Sequence, residues 1–321
     1  MTLSAPEICY SEAANQLNSA RYAANHRIKP QAEHTALSAP RHTTAAASDG
    51  FDFAVASEGL VDAAARAGAC IMQHYGQGTE VELKADASPV TQADREAEAI
   101  LLAALHRLFP TITVVSEEAA SDRGTPLPAR FFLVDPLDGT KEFINKRTDF
   151  TVNVALIEDG VPRFGLVYAP ARRILALTPK DGVAVEAELD PSHAGASLPA
   201  LRCRPMQARV PAPEGLVAVV SHSHLDPATE AFLATLKIAQ RSSAGSSLKL
   251  LTLARGQADV YPRFGPTMEW DIAAGHAVLA AAGGSVVDVD GKPLRYGKTQ
   301  TGLLNPSFIA WGRRDAPSGR D

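Results

Sequence analysis

A two-part protein, α+β in its first half and α/β in its second, is what this 321-residue sequence predicts. Three observations carry that prediction. Between residues 151 and 185 short apolar strands follow one another through Asp159-Gly160 and Lys180-Asp181-Gly182, the mark of antiparallel hairpins. Beyond Pro213 strand-like and helix-like segments alternate, as they do in α/β layers. Between the first helices and the hairpins, the apolar run Phe132-Leu133-Val134 drives into Asp135-Pro136-Leu137-Asp138-Gly139-Thr140.

The elements follow in order. Residues 52–75 read as an alanine-rich helix closed by Gly76. Pro89-Val90-Thr91 leads into a second helix to residue 108, with Thr91 as cap, Glu96 and Glu98 near its start and Pro110 beyond its end. Strands are expected at 112–115 and 131–134. The hairpin pairs 151–158 with 162–168, and 174–177 and 183–185 continue it. A proline-containing stretch, 190–213, separates this half from the next. There, strands at 216–221, 258–261 and 285–289 alternate with helices at 227–236, 247–255 and 270–282, the last ended by Gly283-Gly284. No internal repeat is present.

Composition narrows the function. The formal net charge of −5 and the pI near 6.0 argue against a nucleic-acid binder with a broad basic face. Cys9, Cys70 and Cys203 are odd in number, far apart and without a Cys-x-x-Cys pair, so no disulfide framework or zinc motif is suggested and a reducing cytoplasm fits best. No apolar run approaches the roughly 20 residues that span a bilayer. Residues 1–50 differ from the rest, being rich in Ala, Ser, Thr and His with weak periodicity. They read as a disordered extension or one created by a start codon placed too far upstream, with a targeting segment as the lesser reading. Residues 314–321 read as a solvated tail.

The chemistry lies in the carboxylates. Asp135 and Asp138 stand three positions apart on a Pro/Gly-shaped turn, with the Thr140 hydroxyl behind them. Carboxylates this close repel each other unless something positive lies between them, and a hard cation such as Mg²⁺ is the usual partner. Further acids stand at the end of a strand (Glu117-Glu118), at a helix opening (Asp94) and at another helix opening far along the chain (Glu269-Trp270-Asp271).

In that order and spacing, the motifs resemble the inositol monophosphatase superfamily of Mg²⁺-dependent phosphatases over roughly residues 51–312. Lys84 to Asp94, Lys141-Glu142-Phe143-Ile144, Gly245-Ser246-Ser247-Leu248-Lys249 and Tyr261 to Asp271 look more specifically like 3'(2'),5'-bisphosphate nucleotidases of the CysQ type. The resemblance implies a layered αβαβα sandwich of the inositol monophosphatase/fructose bisphosphatase type. Residues 51–190 would carry most of the metal ligands, and 191–313 would carry Asp271 and the specificity residues. It implies hydrolysis of adenosine 3',5'-bisphosphate to AMP and phosphate, a reaction tied to sulfur assimilation.

It also implies roles. Asp135 would bridge two Mg²⁺ ions, with Glu117 and the Leu137 carbonyl completing one site, Asp138 and Asp271 serving the other, and room for a third, weaker ion. Glu117, Asp94 and Thr140 would position or deprotonate the attacking water. The backbone N–H groups of Gly139 and Thr140 would cradle phosphate, and Lys249, Arg263, Ser247 and His222 would recognise the nucleotide. Plainer readings stand beside these: a helix-terminal charge at Asp271, a solvated helix face at Asp94, an N-cap at Thr140, surface residues at Lys84 and Glu118, a satisfied histidine at His222. Some relatives are attached peripherally to the cytoplasmic face of the inner membrane, but no amphipathic anchor is visible in this chain.

The competing functions are inositol monophosphatase or fructose 1,6-bisphosphatase activity at the same metal site, aspartyl-phosphatase chemistry, and non-catalytic phosphate binding. Aspartyl phosphatases of the haloacid-dehalogenase type separate their two aspartates by one residue, whereas Pro136 and Leu137 intervene here. The oligomeric state is left open by the sequence.

Overall fold

A computed structural model describes residues 51–76, 81–83, 89–119, 124–192, 195–221 and 226–313. The expectations for residues 1–50, Lys84, His222 and 314–321 lie outside the described residues. From residue 51 onward the chain groups as one compact unit.

Two helices open the unit: α1 (Phe53–His74), capped by the Asp52 carboxylate, and α2 (Gln92–Leu108). Between them β1 (Val81–Leu83) and β2 (Pro89–Thr91) form a small antiparallel ribbon, so the segment read as leading into a helix is first a strand. A mixed sheet follows, ordered β3-β4-β5-β6-β7-β8-β9. Its strands are β3 (Thr113–Ser116), β4 (Arg130–Asp138), β5 (Thr151–Glu158), β6 (Val161–Ala169), β7 (Ile174–Lys180), β8 (Val183–Glu188) and β9 (Arg204–Pro205). Only β3 and β4 run parallel. The sheet takes its last strand from beyond residue 190, where the sequence divides the halves.

The second sheet is ordered β11-β10-β12-β14-β13, from β10 (Leu216–Ser221), β11 (Ile238–Ala244), β12 (Val260–Arg263), β13 (Ser285–Asp288) and β14 (Phe308–Trp311). Its helices are α4 (Pro227–Leu233), α5 (Leu248–Ala254) and α6 (Glu269–Ala281), while α3 (Thr140–Ile144) is a single turn after β4.

Burial explains the layering. Strand β4 is apolar on both faces: Phe132 and Val134 pack into one core with α1 and α2, and Phe131 and Leu133 into a second core with α5 and α6. That second core also takes Val219, Tyr261, Phe308 and Ala310 from one face of the other sheet. On the opposite face Trp311 meets Phe232 of α4. The layers are therefore αβαβα, as expected. Each fully buried large apolar side chain contributes roughly 1.5–3 kcal/mol. The fit of α6 on the first sheet is close enough that Gly165 admits no side chain: a Cβ there would lie 2.3 Å from the Ala274 carbonyl oxygen.

One register shift positions the chemistry. β4 pairs with β5 from Arg130↔Glu158 to Asp135↔Asn153, and then Asp138 pairs with Thr151. Three steps on β4 match two on β5, so β4 carries one extra residue. Alternation of side chains would send residues 135 and 138 to opposite faces, and the extra residue returns them to the same one. The two aspartates therefore sit within a strand broken by a bulge, where the sequence suggests a turn beyond the strand. Pro136, which lacks an N–H for the ladder, sits in that bulge.

On α6, His276 is buried with its Nδ1 2.8 Å from the Tyr296 hydroxyl. Burial pushes its pKa down to about 3 from the ordinary 6.5. The unfolded chain binds this proton at higher pH than the folded one, so the stability is complete above 6.5 and declines as the pH falls towards 3. His276→Gln is expected to flatten the decline in the urea midpoint between pH 6.5 and 4. An acid slope equal to the parent's would show that His276 is not a source of that sensitivity.

Candidate active site

Chain ends of regular elements converge at one edge of the first sheet. Asp94 is the third residue of α2, Glu117 follows β3, Asp135 and Asp138 end β4, Thr140 starts α3, and Asp271 is the third residue of α6. The Glu117 N–H donates to the Val134 carbonyl (3.1 Å), which carries the parallel pairing one residue further and brings Glu117 beside Asp135. One carboxylate oxygen each from Glu117, Asp135 and Asp271 lies within 4.8 Å of the others. Asp94, Glu117, Asp135, Asp138 and Asp271 are thus brought together from segments up to 177 residues apart (94 to 271), while Glu269 turns away to Lys298 and the Gly297 N–H.

Such crowding is electrostatically unfavourable. Asp135 is held well above the usual carboxylate range by burial first, then by Glu117, Asp138, Asp271 and Asp94. Asp271 is likewise well above it, through burial, then Asp138 and Glu117. Burial also raises Asp94 and Asp138; nearby Lys249 and bonds from Ser246 and Ser247 oppose the shift at Asp138. Asp135 Oδ1 accepts from the Leu137 N–H (3.0 Å) and Asp271 Oδ2 from the Met268 N–H (2.8 Å), which fixes both carboxylates without neutralising them. An all-oxygen donor set under mutual repulsion fits a hard divalent cation, which would remove the repulsion.

Thr140 links two of these groups. Its Oγ1 lies 3.2 Å from Asp94 Oδ1 and 3.1 Å from the Leu137 carbonyl, and its single proton can serve one acceptor at a time. Asp94 Oδ2 accepts from the Thr91 N–H (2.8 Å) and hydroxyl (2.6 Å), locking the carboxylate onto its helix start. Gly139, at φ 93°, makes the turn into α3, and a Cβ there would lie 2.8 Å from the Asp149 carbonyl oxygen.

Of the residues read as substrate contacts, Asp138, Gly139, Ser247, Lys249, Arg263 and Asp271 help to line a cleft of about 140 Å³. Lys249 donates to the Ser246 carbonyl (2.7 Å) and lies 5.5 Å from the centre of the Tyr261 ring. Burial pulls its pKa down to about 8, with Asp138 opposing. Arg263 donates to the Pro266 carbonyl (3.1 Å), and its buried Nε has no partner within the protein. The Ser247 hydroxyl is occupied by the Asp271 carbonyl (2.8 Å), while its N–H donates to Asp138 Oδ2 (2.9 Å). Ser247 thus acts on the carboxylates through its backbone and ties the start of α5 to α6.

The sequence reading missed Ser246. Its hydroxyl donates to Asp138 Oδ2 and stands 2.6 Å from the Thr151 hydroxyl, with the backbone at φ 50°. Asp149 is the other omission: it accepts the Gly245 N–H (2.7 Å) and pairs with Arg172, pinning the 245–247 loop to the first sheet. The Gly245-Ser-Ser run was visible, but only its tertiary partners distinguish Ser246 from Ser247.

Comparison with known proteins bears on the family and the fold. Residues 54–314 match the Inositol monophosphatase family. The 3'(2'),5'-bisphosphate nucleotidase CysQ of Escherichia coli strain K12 is 43% identical over 251 residues, covering 76% of this chain and 95% of that protein. The protein of the same name from Buchnera aphidicola is 36% identical over 248 residues, covering 76% and 89%. Among solved structures, CysQ from Bacteroides thetaiotaomicron superposes with a TM-score of 0.67 at 38% identity, over 80% of this chain and 97% of that one. On the match along most of its length and on these relatives, the chain belongs to the inositol monophosphatase family.

Proposed function

We propose that this protein is a Mg²⁺-dependent phosphatase that hydrolyses adenosine 3',5'-bisphosphate to AMP and phosphate. The observation that carries the reading is the convergence of Asp94, Glu117, Asp135, Asp138 and Asp271 beside a cleft lined by Lys249 and Arg263. The relatives named as bisphosphate nucleotidases support the choice of substrate.

In this reading Asp135 would be shared between two Mg²⁺ sites, Glu117 and the Leu137 carbonyl would complete one, Asp138 and Asp271 would serve the other, and a third, weaker ion would find room beside them. When bound, the ions neutralise phosphoryl oxygens, activate water and stabilise the leaving oxygen. The chain's own groups do the rest. The Thr140 hydroxyl donates to Asp94 or to the Leu137 carbonyl and keeps lone pairs with which to accept from the attacking water. Asp94, whose pKa burial raises, faces the Thr140 hydroxyl and is placed to receive the proton. Glu117 helps to orient that water, and the Gly139 and Thr140 N–H groups face the phosphate. Lys249 and Arg263, with His222, hold the nucleotide and its second phosphate; the partnerless Arg263 Nε is a buried donor that an anion would satisfy. Among the described residues no helix is long and apolar enough to cross a membrane. With Cys70 and Cys203 as free thiols, the cytoplasm is the compartment we assign.

Phosphate release measured in parallel on adenosine 3',5'-bisphosphate, inositol 1-phosphate and fructose 1,6-bisphosphate tests the proposal. Turnover should favour the nucleotide and vanish on chelation. Preference for either sugar phosphate would retain the carboxylate site and overturn the assigned substrate, and no turnover on any would overturn the enzymatic reading. Asp138→Asn is expected to lower kcat by at least about 100-fold with an unchanged circular dichroism spectrum; activity within a fewfold of the parent would remove Asp138 from the site. Arg263→Ala should raise KM for the bisphosphate by roughly 10–100-fold, the loss of one charge-assisted hydrogen bond, and leave KM for a simple monophosphate nearly unchanged. Equal effects on both would exclude Arg263 from specificity.

A further inference from the structure

A second group of ligand-type side chains lies where α1 packs on α2. Cys70 and His74 are four residues apart and share a face of α1, and Glu96 reaches them from α2. Glu96 Oε2 accepts from the Cys70 thiol at 3.1 Å and lies 3.1 Å from His74 Nε2. A sulfur, a nitrogen and an oxygen, one from each residue, all fall within 4.8 Å of one another. The other carboxylate oxygen, Oε1, accepts from Gln92 Nε2 at 2.5 Å, which aims Oε2 at the thiol and the imidazole. The cluster is only partly buried, with the His74 side chain 24% and the Glu96 side chain 42% exposed, so solvent can reach a further coordination position.

We propose that Cys70, His74 and Glu96 form a cation site for Zn²⁺ or a similar borderline-soft divalent ion, with three protein ligands and an open fourth position. The donor chemistry separates this site from the other one: thiolate, imidazole and a single carboxylate suit zinc, whereas Mg²⁺ calls for an all-oxygen shell. Zinc bonds of about 2.0 Å to N and O and 2.3 Å to S place tetrahedral ligand atoms roughly 3.3–3.6 Å apart. The present contacts of 3.1 Å reach that spacing by a shift of a few tenths of an ångström. Without the ion, burial and the Glu96 carboxylate push the Cys70 thiol up to about 12, so it is a protonated donor. Binding releases that proton to solvent as the sulfur–metal bond forms, and the Nε2 proton that His74 directs at Glu96 moves to Nδ1 or to solvent as Nε2 takes up the ion. The ion would clamp α1 to the first turns of α2, two residues along from Asp94. Neither the ligand set nor its test depends on the phosphatase reading.

The test uses the full-length protein with Mg²⁺ in excess, titrated with Co²⁺ as a spectroscopic probe. One Co²⁺ per chain should bind with the strong visible bands of four-coordinate cobalt and a near-ultraviolet thiolate-to-cobalt band, both displaced by one equivalent of Zn²⁺. Cys70→Ser should abolish the thiolate band, and Cys9→Ser and Cys203→Ser should keep it. His74→Ala should weaken binding by at least the roughly 10-fold that loss of an outer partner causes; it also serves as the test if circular dichroism shows Cys70→Ser to be misfolded. Absence of the thiolate band in the parent, its survival in Cys70→Ser, or unchanged affinity in His74→Ala would overturn the proposal and leave the cluster a hydrogen-bonded bracket between helices.

Discussion

Repulsion among carboxylates held close together is the constraint around which the rest of this structure is arranged. Asp135 is buried, and Glu117, Asp138, Asp271 and Asp94 all act on it. Left to themselves, such groups would swing apart into solvent. They are prevented because each is anchored at the end of a helix or strand whose other end is packed in a core. Asp94 and Asp271 occupy equivalent third positions of α2 and α6 and accept the N–H of the residue preceding each helix. Asp135 and Asp138 are held by β4, whose residues from Phe131 to Leu137 are all buried. The apolar burial that stabilises both cores is thus what keeps the acidic cluster from relaxing, and a divalent ion is the natural counterpart to the tension that remains.

Much of this was legible in the sequence, and the reasons are specific. The acidic positions stand out because Asp-Pro-Leu-Asp-Gly-Thr, Glu-Glu and Trp-Asp each interrupt an apolar segment. Long elements were legible for the same reason, since α1, α2 and α6 are alanine-rich helices with clear ends and the hairpins turn on Asp-Gly. The antiparallel Asp159-Gly160 hairpin, the layered fold and family membership all appear as expected.

What was not legible depends on partners distant in the chain. β11 is partly exposed at a sheet edge and carries Gln240, Arg241, Ser242 and Ser243, so it shows no apolar signature; parallel pairing with β10 makes it a strand. β12 begins later than apolarity suggests and runs on through Pro262 and Arg263, because its ladder with β14, itself unforeseen, sets its limits. The extra residue in β4 is invisible without β5 beside it, yet it decides which way Asp138 points. Ser246 differs from Ser247 only by a left-handed backbone angle and a hydroxyl contact, neither of which residue identity encodes.

The link between Asp138 and the 245–247 loop has a consequence for how the protein is made. The bonds that hold Asp138 come from residues 108 and 109 positions further on, and Asp271 is later still. A ribosome releases the first sheet well before the loop and α6 emerge. A nascent chain of that length lacks the hydroxyl and amide that steady Asp138 and the carboxylate that α6 supplies. The acidic cluster is complete only when α6 closes over the first sheet, so a chain cut short before residue 271 carries no full copy of the site.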